Sequence, residues 1–382
     1  MNKRPRPRRA GAADADAMPA ARPPAPPWHA AALLLAALAG PAAAEPSQAP
    51  LSLNGFGTAG LVHSSQRGAD FVFDNLQPWG AGRSHDWSSD VDSRLGAQLT
   101  ANLTPQLSAV LQVVAEYRWD NSYHPIVNWA NVKYAFTPDF SVRVGRIALA
   151  SFLASDSRKI GYSNITARPP AEVYRLLALR DSDGVDAVYR SHHGDTSNSV
   201  TLLYGRRTVT NTRAVEVHSS GVWGVFDTLE HGPLTLHAAY QERNVDNQNP
   251  PRGRFMSLGA GYDPGPWFAA AEWAKAINYD GKGLKVLRAA WYVNAGLRLG
   301  DFAPYATVAE LRPLSDTGAP PLAQHSYAVG VRWDLARNVD LKLQWDRLHL
   351  GDNSYGTLQN VAPGTPRGGQ VNLISIVTDF VF

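Results

Sequence analysis

The sequence predicts an all-β fold, a transmembrane antiparallel β-barrel of about 16 strands with a long third loop folded into its lumen. Three observations carry that prediction. Segments of roughly nine to fourteen residues alternate apolar and polar side chains, the period of two that belongs to strands. Between them, tight turns alternate with longer loops, as in a chain that runs up and down. The chain is 44% hydrophobic, yet no apolar run is long enough to cross a bilayer as a helix.

Residues 1–44 read as a secretory signal peptide. Lys3, Arg4, Arg6, Arg8, Arg9 and Arg22 lead into the apolar run 30–38, and Pro41 to Ala44 supplies small residues for cleavage before Glu45. This segment also holds the basic balance. The whole chain carries +3, and without the leader's six basic and two acidic residues the remainder carries about −1. A nucleic-acid partner thereby loses its electrostatic support. Cysteine is absent, which removes disulfides, thiolate metal sites and Cys nucleophiles. We expect no cofactor and no metal.

Residues 45–382 read as a single barrel domain. Val91–Leu103 sets Leu95, Ala97, Leu99, Ala101 and Leu103 against Arg94, Gln98, Thr100 and Asn102. Leu107–Asp120 gives the clearest alternation, with Leu111, Val113 and Ala115 on one face and Gln112, Glu116 and Arg118 on the other. The pattern recurs at Val286–Leu299 and again through Tyr327, Val329, Val331 and Trp333. Long strands with one apolar and one polar face describe a polar interior and an apolar exterior, the inverse of a soluble barrel.

Ala148–Ser182 breaks the rhythm. Its 35 residues show no alternation, contain Pro169 and Pro170, and mix Phe152, Leu153, Ile160, Tyr174, Leu176 and Leu177 with eight charges. A connection this long inside a compact fold is functional or disordered, and its apolar content argues against disorder. Seven turns and eight loops in all require sixteen strands, and this segment is the third loop. Aromatic residues at segment ends, among them Tyr117, Trp119, Tyr134, Phe136, Phe140 and Trp333, suit girdles at the membrane interfaces. The last segment, Gln370–Phe382, puts Ile374, Ile376, Thr378, Phe380 and Phe382 on one face.

Together these features resemble the Gram-negative outer-membrane porin superfamily, in its 16-stranded general form. The resemblance implies a water-filled channel for passive diffusion of small hydrophilic solutes, a homotrimer, and residence among outer-membrane lipids. It also implies that the terminal strand, with Phe380 and Phe382, is recognised by the barrel assembly machinery. Porin third loops narrow the pore, because charges in a low-dielectric constriction bias which solutes enter. Here that loop carries five basic residues (Arg158, Lys159, Arg168, Arg175, Arg180) and three acidic ones (Asp156, Glu172, Asp181). Lys133 and Arg143 are expected on the lumen wall near mid-barrel, with Arg190, Arg207, Arg288, Arg298 and Lys342 elsewhere, against Glu116, Asp186 and Asp346. The lumen leans cationic on this reading, and a weak anion preference follows. The other reading of the same residues is a salt-bridged network that only holds the loop.

Two motifs are set aside. Gly55-Phe-Gly57-Thr-Ala-Gly60 matches a dinucleotide fingerprint, but the chain continues as a strand where that fingerprint needs a helix. Asp181-Ser-Asp183-Gly-Val-Asp186 opens like a calcium loop, but His192 stands where the bidentate Glu belongs. Alternatives to a diffusion channel are a substrate-selective anion channel and, in a different class, a barrel enzyme or adhesin. A count of eighteen strands would favour a specific channel.

Overall fold

The computed structural model describes residues 50–382 except 247, 249, 280, 281 and 316–321. The expected signal peptide lies outside the described residues. Sixteen long strands form the wall. They are β1 (Leu51–Ser64), β2 (Arg94–Asn102), β3 (Leu107–Glu116), β4 (Ile126–Ala135), β5 (Phe140–Ala148) and β6 (Asp181–His193). The next five are β7 (Thr196–Thr210), β8 (Glu216–His231), β9 (Leu234–Val245), β10 (Arg252–Tyr262) and β11 (Trp267–Tyr279). The last are β12 (Lys285–Leu297), β13 (Phe302–Pro313), β14 (Gln324–Ala336), β15 (Val339–Leu350) and β16 (Gly369–Val381). Short pieces at Asp70–Phe71, Ala81–Gly82 and Trp87–Ser88 lie within the first long loop.

Each strand pairs antiparallel with its sequence neighbours, and β1 closes the ring on β16 from Phe56↔Val381 to Ser64↔Leu373. Closure removes both sheet edges, so no row of unpaired backbone groups faces lipid. The strands run from 9 to 16 residues, long enough to cross a hydrocarbon core when tilted. Alternation sorts the two faces. On β15, Leu343 and Trp345 are exposed to the outside while Lys342 and Gln344 are buried on the inside. On β16 the same holds for Ile374 and Ile376 against Ser375 and Val377.

Strand lengths differ from the sequence reading at one instructive place. β3 ends at Glu116, four residues short of the expected Asp120. A bulge between Gln112 and Val113 disturbs its ladder with β4, and Asn121 adopts φ 57°, which turns the chain back. Tyr117 is therefore buried, its hydroxyl donating to Asn121 at 2.9 Å, and neither it nor Trp119 belongs to a strand-end girdle. Tyr134, Phe136 and Phe140 are exposed and form a contiguous ring cluster at one turn.

The glycines of the apparent nucleotide motif have a packing role at the closing seam. A Cβ on Gly57 would lie 2.3 Å from the Phe380 ring, and one on Gly55 would lie 2.1 Å from the Phe382 ring. Two aromatic rings of the last strand thus rest on the bare backbone of the first, a contact only glycine permits. Phe382 also exchanges backbone hydrogen bonds with Gly55, at 2.8 and 2.9 Å.

Candidate functional site

The segment between β5 and β6 is not structureless. Pro169 and Pro170 preset φ for a one-turn helix at Ala171–Tyr174, in which all four residues are buried. A 3₁₀ turn occupies Gly161–Ser163. Apolar side chains of the segment join apolar residues of the inner wall in a shared core. Phe152 stacks on Tyr174 at 4.6 Å and meets Phe255 of β10 edge-on at 5.1 Å. Val173, Leu177 and Leu179 pack in the same cluster with Phe226, Tyr292 and Leu311.

Polar ties reach the wall from several directions. Ser151 Oγ donates to Gln241 Oε1 at 3.0 Å, and the Leu153 amide donates to Glu272 Oε1 at 2.9 Å. Across the barrel, the Ala167 amide donates to Gln344 Oε1 at 3.0 Å, and Lys342 Nζ donates to the Gly161 carbonyl at 2.7 Å. These partners lie on β9, β11 and β15, so the segment is tied to widely separated parts of the wall.

All five basic side chains of the segment have acceptors. Arg168 grips Asp92 with two bonds of 2.9 and 2.5 Å, donates to Ser375 Oγ at 2.8 Å, and lies over the Phe71 ring. Arg158 and Arg180 both pair with Asp74. Lys159 Nζ bonds Glu116 at 2.6 Å and Asn128 at 3.0 Å. Arg175 donates to the carbonyls of Val72 and Thr357 and to Asn75. Burial pushes Arg158 and Arg175 down to about 10 and Arg180 to about 9, so all three stay charged at neutral pH.

The acidic members divide. Glu172 is buried and accepts from Gln324 Nε2 and Ser326 Oγ, each at 2.6 Å. Asp156 has accessible surface but lies enclosed within the barrel, and this desolvation holds its carboxyl above the ordinary range, with Arg143 and His237 pulling the other way.

Sequence reasoning placed Glu116, the partner of Lys159, on the lumen wall but missed two other carboxylates that pair with the loop. Asp74 and Asp92 come from the first long loop, which also buries Phe71, Phe73 and Val91 against Leu348, Leu350 and Leu373. The apolar run Phe71-Val72-Phe73, out of place in a solvated connection, was the available signal. Several wall positions also need correction. Lys133 is the third residue from the turn end of β4, below mid-barrel. Arg298 lies in a turn and pairs with exposed Asp263 at 2.6 Å, outside the lumen set. Lys342 is fully buried, 2.8 Å from Asp379 and 3.6 Å from Asp340.

A charged open space lies along β3 to β7. A cavity of about 350 Å³ is bounded there by Glu116, Arg146, Lys159, Arg180, Asp181 and Arg207. Arg146 bonds Asp183 at 2.7 Å, and Arg207 pairs with Asp181 at 2.5 Å, so facing charges line it. A space of only about 30 Å³ lies between Gln112, Asn128, Asp156, Arg158 and Lys159. Toward the turns, Arg143 clamps Asp186 with bonds of 2.5 to 3.1 Å and stands cross-strand from Lys133. Among the described residues, Lys133 and Arg190 enter no ion pair.

The barrel with its polar face inward can now be set beside known proteins. The sequence model of one family, described as Gram-negative porin, matches residues 30–353. The chain belongs to that family. Solved porin structures share its fold. An anion-selective porin from Comamonas acidovorans covers 87% of this chain, with 99% of its own length matched, at TM-score 0.60 and 15% identity. Salmonella typhi OmpF, solved with daunomycin, covers 87% with 97% of its own length matched, at TM-score 0.58 and 14% identity. The outer membrane channel DcaP of Acinetobacter baumannii covers 88% with 99% of its own length matched, at TM-score 0.57 and 11% identity. No curated protein matches the sequence. As a porin, the chain is an outer-membrane channel protein.

Proposed function

We propose that this porin is a passive diffusion channel for small hydrophilic solutes, narrowed by residues 148–182 folded into the lumen. The observation that carries the reading is the series of spaces along β3 to β7, a charged cavity of about 350 Å³ followed by a neck of about 30 Å³. A neck of that volume holds a water or two, so larger solutes pass only as side chains give way. Asp156, Arg158 and Lys159 line it, with Arg143 and Lys133 below; Arg168, Glu172, Arg175 and Arg180 hold the loop. Conductance is accordingly small.

A weak anion preference rests on Lys133 and Arg190, which lack carboxylate partners, rather than on the loop arginines, which have acceptors. The chain is exported through its signal peptide, is assembled through the strand bearing Phe380 and Phe382, and works as a homotrimer without catalysis. Planar-bilayer recording of the purified protein under a KCl gradient tests this. Small ohmic steps with a reversal potential slightly to the anion side are expected. A folded barrel that gives no steps overturns the channel reading. A saturable block by inorganic phosphate would favour a substrate-selective anion channel.

A further inference from the structure

We infer that the neck of the lumen holds a resident halide, seated between Arg158 and Arg180, which completes the attachment of the constriction segment. A shortage of carboxylates carries the inference. Arg158 and Arg180 converge on one carboxylate, Asp74. Lys159 pairs with Glu116, and Arg94 stands cross-strand from that same Glu116. Two carboxylates thus serve four cations. A third, Asp156, lines the neck, where Arg143 and His237 also act on it. Even with Asp156 counted in full, one positive charge is left over. The neighbouring pairs Arg143–Asp186 and Arg207–Asp181 balance among themselves and offer it no partner.

The hydrogen bonds show the same shortage. Arg158 is 6% exposed, and of its guanidinium only NH2 reaches Asp74, at 3.4 Å. Its Nε and NH1 are buried without an acceptor. On Arg180, NH1 donates to Asp74, while Nε and NH2 are likewise buried and unpartnered. Arg158 lies over the Phe73 ring at 5.1 Å and Arg94 over the same ring at 6.0 Å. One ring shared by two cations offsets only a small part of a buried charge. A buried cation without a counter-charge and donors without acceptors are both costly, and a single anion between the two guanidiniums answers both.

The seat has the size of a small ion. Arg158, Lys159, Arg180 and Ser155 all line the space of about 30 Å³ at the neck. Ser155 Oγ accepts from the Phe152 amide at 2.8 Å, which leaves its proton free to donate to an anion. Room for a water or two admits a monatomic anion and excludes a tetrahedral oxyanion. The occupant narrows the neck further, so these arginines hold an ion while the weak preference for passing anions stays with Lys133 and Arg190. The seat therefore goes beyond the channel reading and does not depend on conduction.

Crystals of the full barrel grown with sodium bromide and measured at the bromine absorption edge test the seat directly. An anomalous peak within hydrogen-bond reach of both Arg158 and Arg180 is expected, and a neck that holds only water overturns the inference. Chlorine NMR of the barrel in lipid nanodiscs, titrated with chloride against gluconate at constant sodium, reads the binding in solution. Saturable line broadening that bromide reverses and inorganic phosphate does not is expected. Arg158→Met should weaken that binding roughly ten-fold, the loss of one charge-assisted bond, with heat-modifiable migration confirming the fold. Undiminished broadening in a folded Arg158→Met barrel, or phosphate displacing chloride as well as bromide does, overturns the inference. Neither readout uses current, so a barrel that holds bromide yet carries no KCl current would fail the channel reading alone. One that conducts without the anomalous peak would fail the seat alone.

Discussion

Replacing Arg168 by methionine removes a charge from a place where water cannot substitute for it. Arg168 and Asp92 are 5% and 1% exposed, joined by two bonds of 2.9 and 2.5 Å. An exposed pair of this kind would contribute less than about 1 kcal/mol. Breaking a buried one costs about 3–5 kcal/mol, because the remaining carboxylate stays desolvated and unpaired. Methionine keeps much of the volume over Phe71, so most of the loss is electrostatic. The barrel ladders do not involve these side chains, so the cost falls on the attachment of the loop. At about 1.4 kcal/mol per decade, 3–5 kcal/mol raises the detached population of the segment roughly 10² to 10³·⁵-fold.

Hydrogen exchange at the Ala167 amide reads that population, since this amide is held by Gln344 and Tyr305 one residue from Arg168. The Arg168→Met barrel should exchange it at least a hundred-fold faster and show a larger single-channel step, while migrating as a folded barrel. Adding Asp92→Asn removes the stranded charge and should recover most of the loss. If exchange and conductance in the single variant match the native protein, the loop is not held by this pair. If the double variant is no better than the single one, desolvation of Asp92 is not the cause.

Other perturbations test other parts of the molecule. Lys342→Met leaves fully buried Asp379 without its cation, while Asp340 keeps Arg332 at 3.2 Å, and should lower the thermal midpoint by the equivalent of about 3–5 kcal/mol, with partial recovery on adding Asp379→Asn; an unchanged midpoint would contradict the pairing. Gly57→Leu drives a side chain into the Phe380 ring, an overpacking of about 1–3 kcal/mol, and should reduce heat-modifiable barrel in purified outer membranes; native yields would mean the rings tolerate displacement. Asp156 offers a pH test. Its carboxyl is held above the usual 3.8, so its protonated form is favoured in the fold: the stabilisation is present below 3.8 and fades as pH rises through the raised value. As pH falls through that value the lumen loses a negative charge beside Arg143, and anion preference should grow. His237 also faces Asp156 and charges as pH falls, so Asp156→Asn separates the two. The variant should start more anion-preferring at pH 7 and respond less to acid; an identical response would assign the effect to His237.

The strand plan was legible because alternation and turn chemistry are local. Gly194 at φ 58° and Asn338 at φ 66° sit in tight turns that the sequence marks with turn-forming residues. Leu107–Asp120 misled because a bulge and the turn at Asn121 end the strand while the alternation in the letters runs on. The one-turn helix after Pro169-Pro170 was written in the chain, with Glu172 in its first turn, but a loop reading overlooked it. Charge partners were the least legible part. Nothing in the neighbourhood of Arg168 points to Asp92, 76 residues earlier, because pairing across a barrel is set by closure and not by spacing.

The same closure explains why the opening lies where it does. Alanines and aromatic rings on the inner faces of β8 to β13, including Ala274, Ala276, Ala290 and Phe226, give the loop an apolar surface to bury Phe152, Tyr174 and Leu177 against. Burial there excludes water from the upper part of that sector. On the opposite flank, β1, β15 and β16 meet the loop through Arg168, Lys342 and their carboxylates, a sealed polar joint. Strands β3 to β7 face the loop with long charged side chains that remain partly solvated, Arg146 at 27% and Asp183 at 42% among them. Such pairs are weak and exchange easily with water, so the sector that could not be closed by packing is also the one whose charges can meet a passing solute. Moving the opening would require exchanging the apolar and charged sectors together, which no single substitution can do.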